Sequence, residues 1–213
     1  MQKLKIALLS YRSAPFSGGQ GIFVRELSKA LTKRGHKVDV ISGPPMPILD
    51  SGIGLIKLEG LNLFETFNFK DRVKKLWNKK NKNRLDYYDF FTTLIGGFPE
   101  MYSFGERAKE YLLKGKDYDI ILDNQSLSLG MLEIQKKYPF IEIIHHPITK
   151  DLEFQLKSTN DFFLKLLIKR WHSFVPTQIK VAKKLKKILV PSISSGKDVV
   201  KDFSLKEESI EVV

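Results

Sequence analysis

The chain has 213 residues, of which 42% are hydrophobic and none is cysteine, which is enough apolar material for one large α/β domain. The lack of cysteine excludes a disulfide framework and a thiolate metal site, and it fits a reducing compartment such as the cytoplasm. No apolar run approaches the roughly 20 residues of a membrane-spanning helix. The formal net charge of +12 needs an explanation, either as an anionic partner or as a solvated basic surface.

The first unit of the chain is predicted to be a strand, a loop, a helix and a second strand. Apolar residues run through Lys5–Ser10, and helical spacing begins at Phe23, after a loop at residues 11–21. Gly35 stands where a glycine commonly ends a helix, and Lys37–Ser42 then predicts the second strand. Nucleotide-handling domains of the Rossmann type begin with such a unit.

Two adjacent glycines, Gly18 and Gly19, lie in the loop just before this helix. Because they carry no side chain, a phosphate group can approach the free backbone N–H groups at the helix N-terminus. The segment has neither the G-x-G-x-x-G pattern nor a P-loop Gly-Lys-Ser/Thr, so dinucleotide oxidoreductases and P-loop ATPases lose support. Gly18 and Gly19 are therefore predicted to form a phosphate loop, with an ordinary turn as the alternative.

Strands and helices are predicted to alternate along most of the remaining chain. Further strands are expected at residues 55–58, 118–122, 140–144, 188–190 and 210–213. Further helices are expected at residues 103–113, 127–137 and 160–187, and after a cap at Ser194 or Ser195. Residues 61–98 show no regular pattern. This alternation predicts a single Rossmann-like domain over residues 1–213, with a doubly wound, mostly parallel sheet.

Polar residues follow two of the predicted strands, where ligands bind in open α/β sheets. Asp123 and Asn124 end one strand, and His145, His146 and Asp151 follow the next. Adjacent residues of an extended segment point in opposite directions, so the two histidines are expected to face different sides. A pair of hydrogen-bonded loop histidines is one alternative, and a zinc site is disfavoured because no H-E-x-x-H or cysteine set accompanies them. We expect no metal.

Five segments together resemble the N-terminal half of family 4 glycosyltransferases. They are Gly18 with Gly19, the helix-to-strand junction at residues 27–38, the strand end at residues 143–145, the Val190-Pro191-Ser192 turn, and the strand at residues 210–213. The resemblance implies the GT-B architecture, in which two Rossmann-like domains face each other across a cleft. It also implies transfer of a sugar from a nucleotide-sugar donor to a glycan or glycolipid with retention, without a metal or other cofactor.

The same resemblance assigns roles to individual residues. His145 would be the catalytic residue that approaches the transferred sugar, and the phosphate loop would contact the donor. Asp123, Asn124, His146 and Asp151 would face the acceptor. Because the chain ends on a predicted strand, we expect that a C-terminal donor-binding domain is absent from it and that this chain alone is inactive. The alternative function is a stand-alone, non-catalytic Rossmann-like module that binds a phosphorylated ligand.

Basic residues concentrate at residues 72–80, 165–170 and 183–187. The middle stretch alternates with aromatic residues, as in a helix that lies on an anionic membrane. Its expected exposed face holds Lys165, Lys169, Arg170 and Trp171. A solvated face over core-packing aromatics and a nucleic-acid site are the alternatives, and no recognised nucleic-acid-binding motif supports the second. The membrane interpretation places the protein on the inner face of the cytoplasmic membrane, with a lipid-linked acceptor.

Overall fold

The computed structural model describes residues 2–16 and 19–213. In this part of the chain the strands are β1 (Lys5–Ser10), β2 (Lys37–Ser42), β3 (Gly54–Lys57), β4 (Ile120–Asn124), β5 (Phe140–Ile143), β6 (Ile188–Val190) and β7 (Ile210–Val212). The helices are α1 (Gly19–Lys33), α2 (Phe69–Asn78), α3 (Arg84–Leu94), α4 (Glu100–Leu113), α5 (Leu129–Lys137), α6 (Ile148–Lys157), α7 (Phe162–Trp171), α8 (Val175–Ala182) and α9 (Ile193–Phe203).

The seven strands form one sheet in the order β3-β2-β1-β4-β5-β6-β7, and every neighbouring pair is parallel. The chain moves outward from β1 to β3 and then crosses back to β4 on the other side of β1. This reversal leaves a crevice at the carboxyl ends of β1 and β4. The predicted doubly wound, Rossmann-like α/β fold is confirmed.

The sheet is covered on both faces. Along β1, Ala7 and Leu9 belong to one core cluster, whereas Ile6 and Leu8 belong to the other. The first cluster includes residues from α4, α5, α8 and α9, and the second is covered by α1 through Val24. Because both faces of the sheet are buried, the strands consist of continuous runs of apolar residues, and these runs allowed the strands to be predicted from the sequence.

The predicted long helix at residues 160–187 is wrong, because the structure has two helices there. His172 ends α7, and α8 begins at Val175 with a proline in its first turn. Proline fits a first turn because the N–H group that it lacks has no partner within the helix there. The predicted cap of α9 is also wrong, since Ser192 caps the helix by accepting a hydrogen bond from the Ser195 backbone N–H at 3.1 Å.

The irregular stretch before residue 98 contains two helices that the sequence pattern did not predict. Asn83 begins α3 with a capping box, in which its side chain and that of Asp86 bond each other's backbone N–H groups. The buried Asp86 also accepts from Arg107 of α4 at 2.9 Å and from Lys79 at 2.5 Å. The Arg107 contact holds α3 against α4. A pattern of apolar residues along the local sequence cannot indicate such contacts between distant residues.

Helix α7 has no buried residue. Phe162 and Phe163 are 68% and 77% exposed, so the alternative of core-packing aromatics is wrong for this pair. The predicted single basic face is also wrong, because Trp171 packs on Phe98 with ring centroids 5.0 Å apart, while Arg170 donates to the Ile95 carbonyl. The exposed surface of α7 is therefore more apolar than the sequence pattern predicted.

The predicted glycine loop contributes directly to α1, which begins at Gly19 rather than at Phe23. A Cβ atom on Gly21 would lie 2.1 Å from the carbonyl oxygen of Ala14, so no larger residue fits there. A Cβ atom on Gly19 would meet nothing within 4 Å. Gly18 lies outside the described residues. The two described glycines thus differ: Gly21 permits close packing, whereas Gly19 borders open space.

We expect Gly21→Ala to destabilise the fold by about 1–3 kcal/mol, because the loop at Ala14 must move away from α1. Urea unfolding of the 213-residue chain measures this effect. Gly19→Ala is the matched control and should change stability by no more than about 0.5 kcal/mol. Helix propensity favours alanine at both positions, so equal destabilisation by the two substitutions would show that the Ala14 contact does not determine the cost.

Candidate functional site

The crevice at the carboxyl ends of β1 and β4 has a floor of buried polar side chains. The Ser10 hydroxyl accepts hydrogen bonds from the Ser13 hydroxyl at 2.7 Å and from the Asn124 amide at 3.4 Å. All three residues are fully buried. Buried polar groups cost free energy unless they are hydrogen-bonded, so this network stabilises one arrangement of the strand ends.

His145 follows the last residue of β5 by two positions and is held on several sides. Its Nε2 atom is 2.7 Å from the Asn124 side-chain oxygen, and its ring meets Phe23 edge to face at 4.5 Å. Its backbone N–H donates to the Gln125 side-chain oxygen at 2.7 Å. Because Asn124 accepts at Nε2, the neutral ring carries its hydrogen there and Nδ1 keeps a lone pair. Burial, followed by the neighbouring His146, lowers the pKa of His145, which favours this neutral form.

His146 points towards α6 instead. Its Nε2 atom lies 3.1 Å from an Asp151 carboxylate oxygen, and both side chains are about half exposed. Asp151 belongs to the first turn of α6 rather than to an extended loop. The two histidines thus have different neighbours, as expected from their alternation.

Asp123 and Glu142 form a fully buried pair of carboxyl groups under the turn that follows β4. They are register partners in adjacent strands. Asp123 Oδ2 accepts from the Ser126 backbone at 2.9 Å and from the Ser126 hydroxyl at 2.6 Å. Asp123 Oδ1 and both Glu142 oxygens lack a donor among the described residues. We infer that the two groups share a proton, which would supply a donor to one of these oxygens, as for other carboxyl pairs at close range.

Burial is the main reason why this proton is retained. Burial and then the charge of Asp123 raise the pKa of Glu142 well above its usual value. Burial also raises the pKa of Asp123, against the opposing hydrogen bonds from Ser126. With no exposed surface, Asp123 has no path to the acceptor contact that the resemblance implied. Asn124 is also fully buried and contacts His145 instead.

The turn above this acid pair positions the histidine backbone. Gln125 and Leu127 have φ angles of 57° and 47°, which residues other than glycine rarely adopt. The Gln125 side chain accepts from the His145 N–H and donates to the His146 carbonyl, both at 2.7 Å. The strained turn therefore connects the acid pair to His145.

The largest opening near these strand ends is a cleft of about 520 Å³, which we name the main cleft. Its walls come from the loop after β1, the start of α1, the stretch before α2, the beginning of α4, helix α6, and the end of α7 with the turn that follows it. They include Arg12, Gly19, Phe64, Phe98, Asp151, Trp171 and Phe174. Aromatic side chains dominate this wall, and the sequence analysis missed their convergence because they come from distant segments.

Arg12 is the cationic group of the main cleft. Its guanidinium lies 3.8 Å from the centroid of the Phe64 ring and bonds Glu100 at 3.1 Å and Glu65 at 3.3 Å. Burial raises the pKa of Glu100 although Arg12 opposes the rise, and burial raises the pKa of Tyr11 beside it to about 12. Arg12 therefore holds the Phe64 segment against the start of α4.

The structure brings only some of the predicted site residues to the main cleft. Gly19 and Asp151 line the main cleft, whereas Asn124, His145 and His146 are not among its lining residues. His145 instead contacts Phe23 and Asn124. Within residues 2–16 and 19–213, no group of three or more His, Cys, Asp or Glu side chains is arranged to hold a metal ion. None of the described helices has both the length and the hydropathy needed to cross a membrane.

The sheet order and the strand-end crevice place the chain among the Rossmann-like domains from which GT-B glycosyltransferases are built. The family model described as Glycosyltransferase Family 4 matches residues 17–213, and the chain belongs to that family. It corresponds to the N-terminal domain of such an enzyme. A relative from Mycolicibacterium hassiacum, described as an MMP alpha-(1->4)-mannosyltransferase, is 38% identical over 99% of this chain and 51% of its own length.

Solved structures show the same fold. The glycosyltransferase WaaG, involved in lipopolysaccharide biosynthesis, is 13% identical with a TM-score of 0.53, over 98% of this chain and 44% of its own. The catalytic domain of starch synthase IV from Arabidopsis thaliana is 14% identical with a TM-score of 0.53, over 100% of this chain and 51% of its own. The chain thus spans about half the length of the proteins that it matches.

The buried acid pair predicts how stability depends on pH. Because the pKa of Glu142 is raised in the folded state, folded molecules keep a proton that unfolded molecules release above about pH 4.3. The pair's contribution to stability is therefore complete at low pH and falls as pH rises towards the folded pKa. Glu142→Gln keeps a donor for Asp123 without titrating, so it should flatten the fall in unfolding free energy that begins as pH rises above the unfolded-state pKa of about 4.3.

Urea unfolding at a series of pH values measures this slope. Glu133→Gln, at an exposed helix position beside Lys136, is the matched control and should leave the slope unchanged. If wild type and Glu142→Gln have the same pH dependence, the two carboxyl groups do not share a proton.

Proposed function

We propose that this chain is the acceptor-side domain of a retaining glycosyltransferase that moves a sugar from a nucleotide-sugar to a glycan or glycolipid. The observation that carries the proposal is the placement of His145, whose ring bonds Asn124 at 2.7 Å, at the strand ends where β5 leads into α6, a helix that lines the main cleft. Ligands of open α/β sheets bind at such strand ends. The acceptor would enter from the main cleft, whose aromatic side chains suit the C–H faces of sugar rings.

The donor would meet this domain through its phosphate groups. Helix α1 begins at Gly19, and the open space beside that residue lets an anion approach the helix N-terminus. Most of the nucleotide-sugar would be bound by a second, C-terminal domain, so this chain alone should neither transfer nor hydrolyse it. The relative named as a mannosyltransferase makes a mannose nucleotide the first donor to test.

The proposed chemistry requires no protein nucleophile and no metal from this domain. The leaving phosphate of the donor would help to deprotonate the acceptor, with attack on the same face of the sugar. The free Nδ1 of His145 would accept a hydrogen bond from a sugar hydroxyl, and this bond would strengthen as the sugar–phosphate bond breaks. His146 and Asp151, which are exposed, would contact the acceptor.

We expect His145→Ala to lower turnover roughly a hundredfold or more in a full-length enzyme that carries this chain, because one preorganised hydrogen bond in the transition state is lost. His146→Ala is the matched control and should be milder, since its pair with Asp151 is exposed. Steady-state turnover with a panel of nucleotide-sugars measures both effects.

The pattern of results decides the assignment. A severe loss in His146→Ala with normal turnover in His145→Ala would overturn the proposed role of His145. Full-length protein that binds a phosphorylated ligand but transfers nothing would favour the non-catalytic module instead. Turnover by the 213-residue chain alone would contradict the proposed division between the two domains.

We further propose that α7 rests on an anionic membrane surface and brings the domain to a lipid-linked acceptor at the inner face of the membrane. Phe162, Phe163 and Leu167 of this helix are more than half exposed, and Lys169 is exposed beside them. Exposed aromatic residues next to lysine suit the boundary between acyl chains and anionic headgroups. The net charge of +12 adds a longer-range attraction to the same surface.

Sedimentation with vesicles tests this proposal. The 213-residue chain should bind vesicles containing anionic lipid more tightly than neutral ones, and salt should weaken the binding by screening. Phe162→Ser with Phe163→Ser should abolish most of it because apolar contact is lost. Charge reversal of Lys165 and Lys169 to Glu should weaken binding more than the same change at Lys183 and Lys184. Equal binding to neutral and anionic vesicles would contradict the proposal.

A further inference from the structure

A second cavity of about 270 Å³ lies next to the main cleft, and we name it the distal pocket. It is bounded by α3, α4, the turn after β4 and the start of α8. Phe98, Met101 and Phe174 line both cavities, so the two spaces are separated only by shared side chains. None of the residues assigned to catalysis or donor binding lines the distal pocket.

Two residues of the distal-pocket lining, Gln178 and Ser128, have buried side-chain oxygens without a partner among the described residues. Gln178 is 2% exposed, and its side-chain oxygen accepts no hydrogen bond from the described residues. Its amide nitrogen lies 3.1 Å from the sulfur of Met101, which is a weak acceptor. Ser128 is 4% exposed, and its hydroxyl makes neither a cap bond to α5 nor any other hydrogen bond to described residues.

Unpartnered buried polar atoms are costly, so their presence on a cavity wall indicates a ligand that supplies the missing groups. The Gln178 oxygen requires a donor, and a ligand hydroxyl provides one. Around it, Tyr88 and Tyr102 form an aromatic pair with centroids 4.9 Å apart, and Phe98 and Phe174 form another at 5.6 Å. Aromatic faces with a few placed polar groups fit a ligand that has both C–H faces and hydroxyls, which describes a sugar ring.

Arg170 is the cation at the rim of this pocket, and two of its five N–H groups donate to neighbouring segments. It donates to the Ile95 carbonyl at 3.3 Å and to the Ser173 hydroxyl at 3.1 Å. The guanidinium therefore joins the end of α7 to neighbouring segments. A neutral ring fits the remaining polar groups better than a phosphate does.

We propose that the distal pocket is a second acceptor subsite, which binds the sugar ring next to the one that is glycosylated. The acceptor would then be an oligosaccharide of at least two rings that runs past Phe98 from the main cleft into the distal pocket. This inference rests on the proposed function, because it assigns the main cleft to the terminal acceptor ring.

The 213-residue chain itself provides the test. Binding of mannose and of α-(1→4)-linked mannose disaccharide and tetrasaccharide is measured by titration of the chain labelled at its methionine methyl groups. Met101 reports directly because it lies on the wall shared by both cavities. The oligosaccharides should bind at least tenfold more tightly than mannose and should shift the Met101 signal.

Gln178→Leu should weaken oligosaccharide binding about tenfold, because the partner of a ligand hydroxyl is lost, and should weaken mannose binding less, because a single ring can still bind in the main cleft. Gln155→Leu makes the same chemical change on the wall of the main cleft and should weaken mannose and oligosaccharides alike. Thr177→Leu narrows the distal pocket from a half-exposed wall position. It should reproduce the effect of Gln178→Leu, which covers the case in which Gln178→Leu fails to fold.

The outcomes separate the two proposals. Unchanged oligosaccharide binding in both distal-pocket variants, with weakened binding in Gln155→Leu, would overturn the second subsite and leave the proposed function standing. Failure of wild type to bind any of these saccharides would overturn the subsite, whereas loss of turnover in His145→Ala would still support the enzyme. Inorganic phosphate that competes for the pocket through Arg170 would overturn the assignment to a neutral sugar ring.

Discussion

The reversal of strand order between β1 and β4 is the constraint on which the rest of the molecule depends. Parallel strands need crossovers of one hand, so helix α1 on one side of the reversal and helices α5, α8 and α9 on the other cover opposite faces of the sheet. At the reversal, the neighbouring connections leave in opposite directions, and the strand ends stay uncovered. The crevice between β1 and β4 is therefore a result of topology, and it determines where His145 and the start of α1 meet.

Buried polar groups keep this crevice in one arrangement. The acid pair Asp123 and Glu142 lies under a turn with two left-handed residues, and that turn bonds the backbone of His145. Asn124 then fixes the ring of the same histidine. Each of these buried polar groups would destabilise the protein if it lacked a hydrogen-bond partner. The groups therefore favour the one geometry in which they are paired, and they contribute less to the stability of the fold as a whole. A neutral, oriented imidazole is the result.

The main cleft is lined by segments with weak sequence patterns. Phe64 comes from the irregular stretch before α2, and Phe98 from the loop before α4, yet both meet Trp171 at the end of α7. Arg12 draws the first of these segments towards the sheet by stacking on Phe64. Such segments are attached to the Rossmann-like sheet but do not belong to its repeating α/β pattern. They offer a physical route by which proteins with one fold acquire different acceptor clefts.

The sequence by itself determined the α/β class, the bounds of β1 and β2, and the position of the two histidines after a strand. It could do so because a strand that is buried on both faces consists of a continuous run of apolar residues, which is visible locally. Tertiary structure alone decided the rest. The existence of α3 depends on ion pairs with α4, and the break between α7 and α8 depends on a turn inside an apolar stretch. The sequence pattern predicted that Asp123 is a strand-end carboxylate facing the acceptor. In the structure Asp123 is fully buried, because β4 pairs with β5 so that Asp123 lies opposite Glu142. Contacts between residues far apart in sequence made these choices, and no local pattern records such contacts.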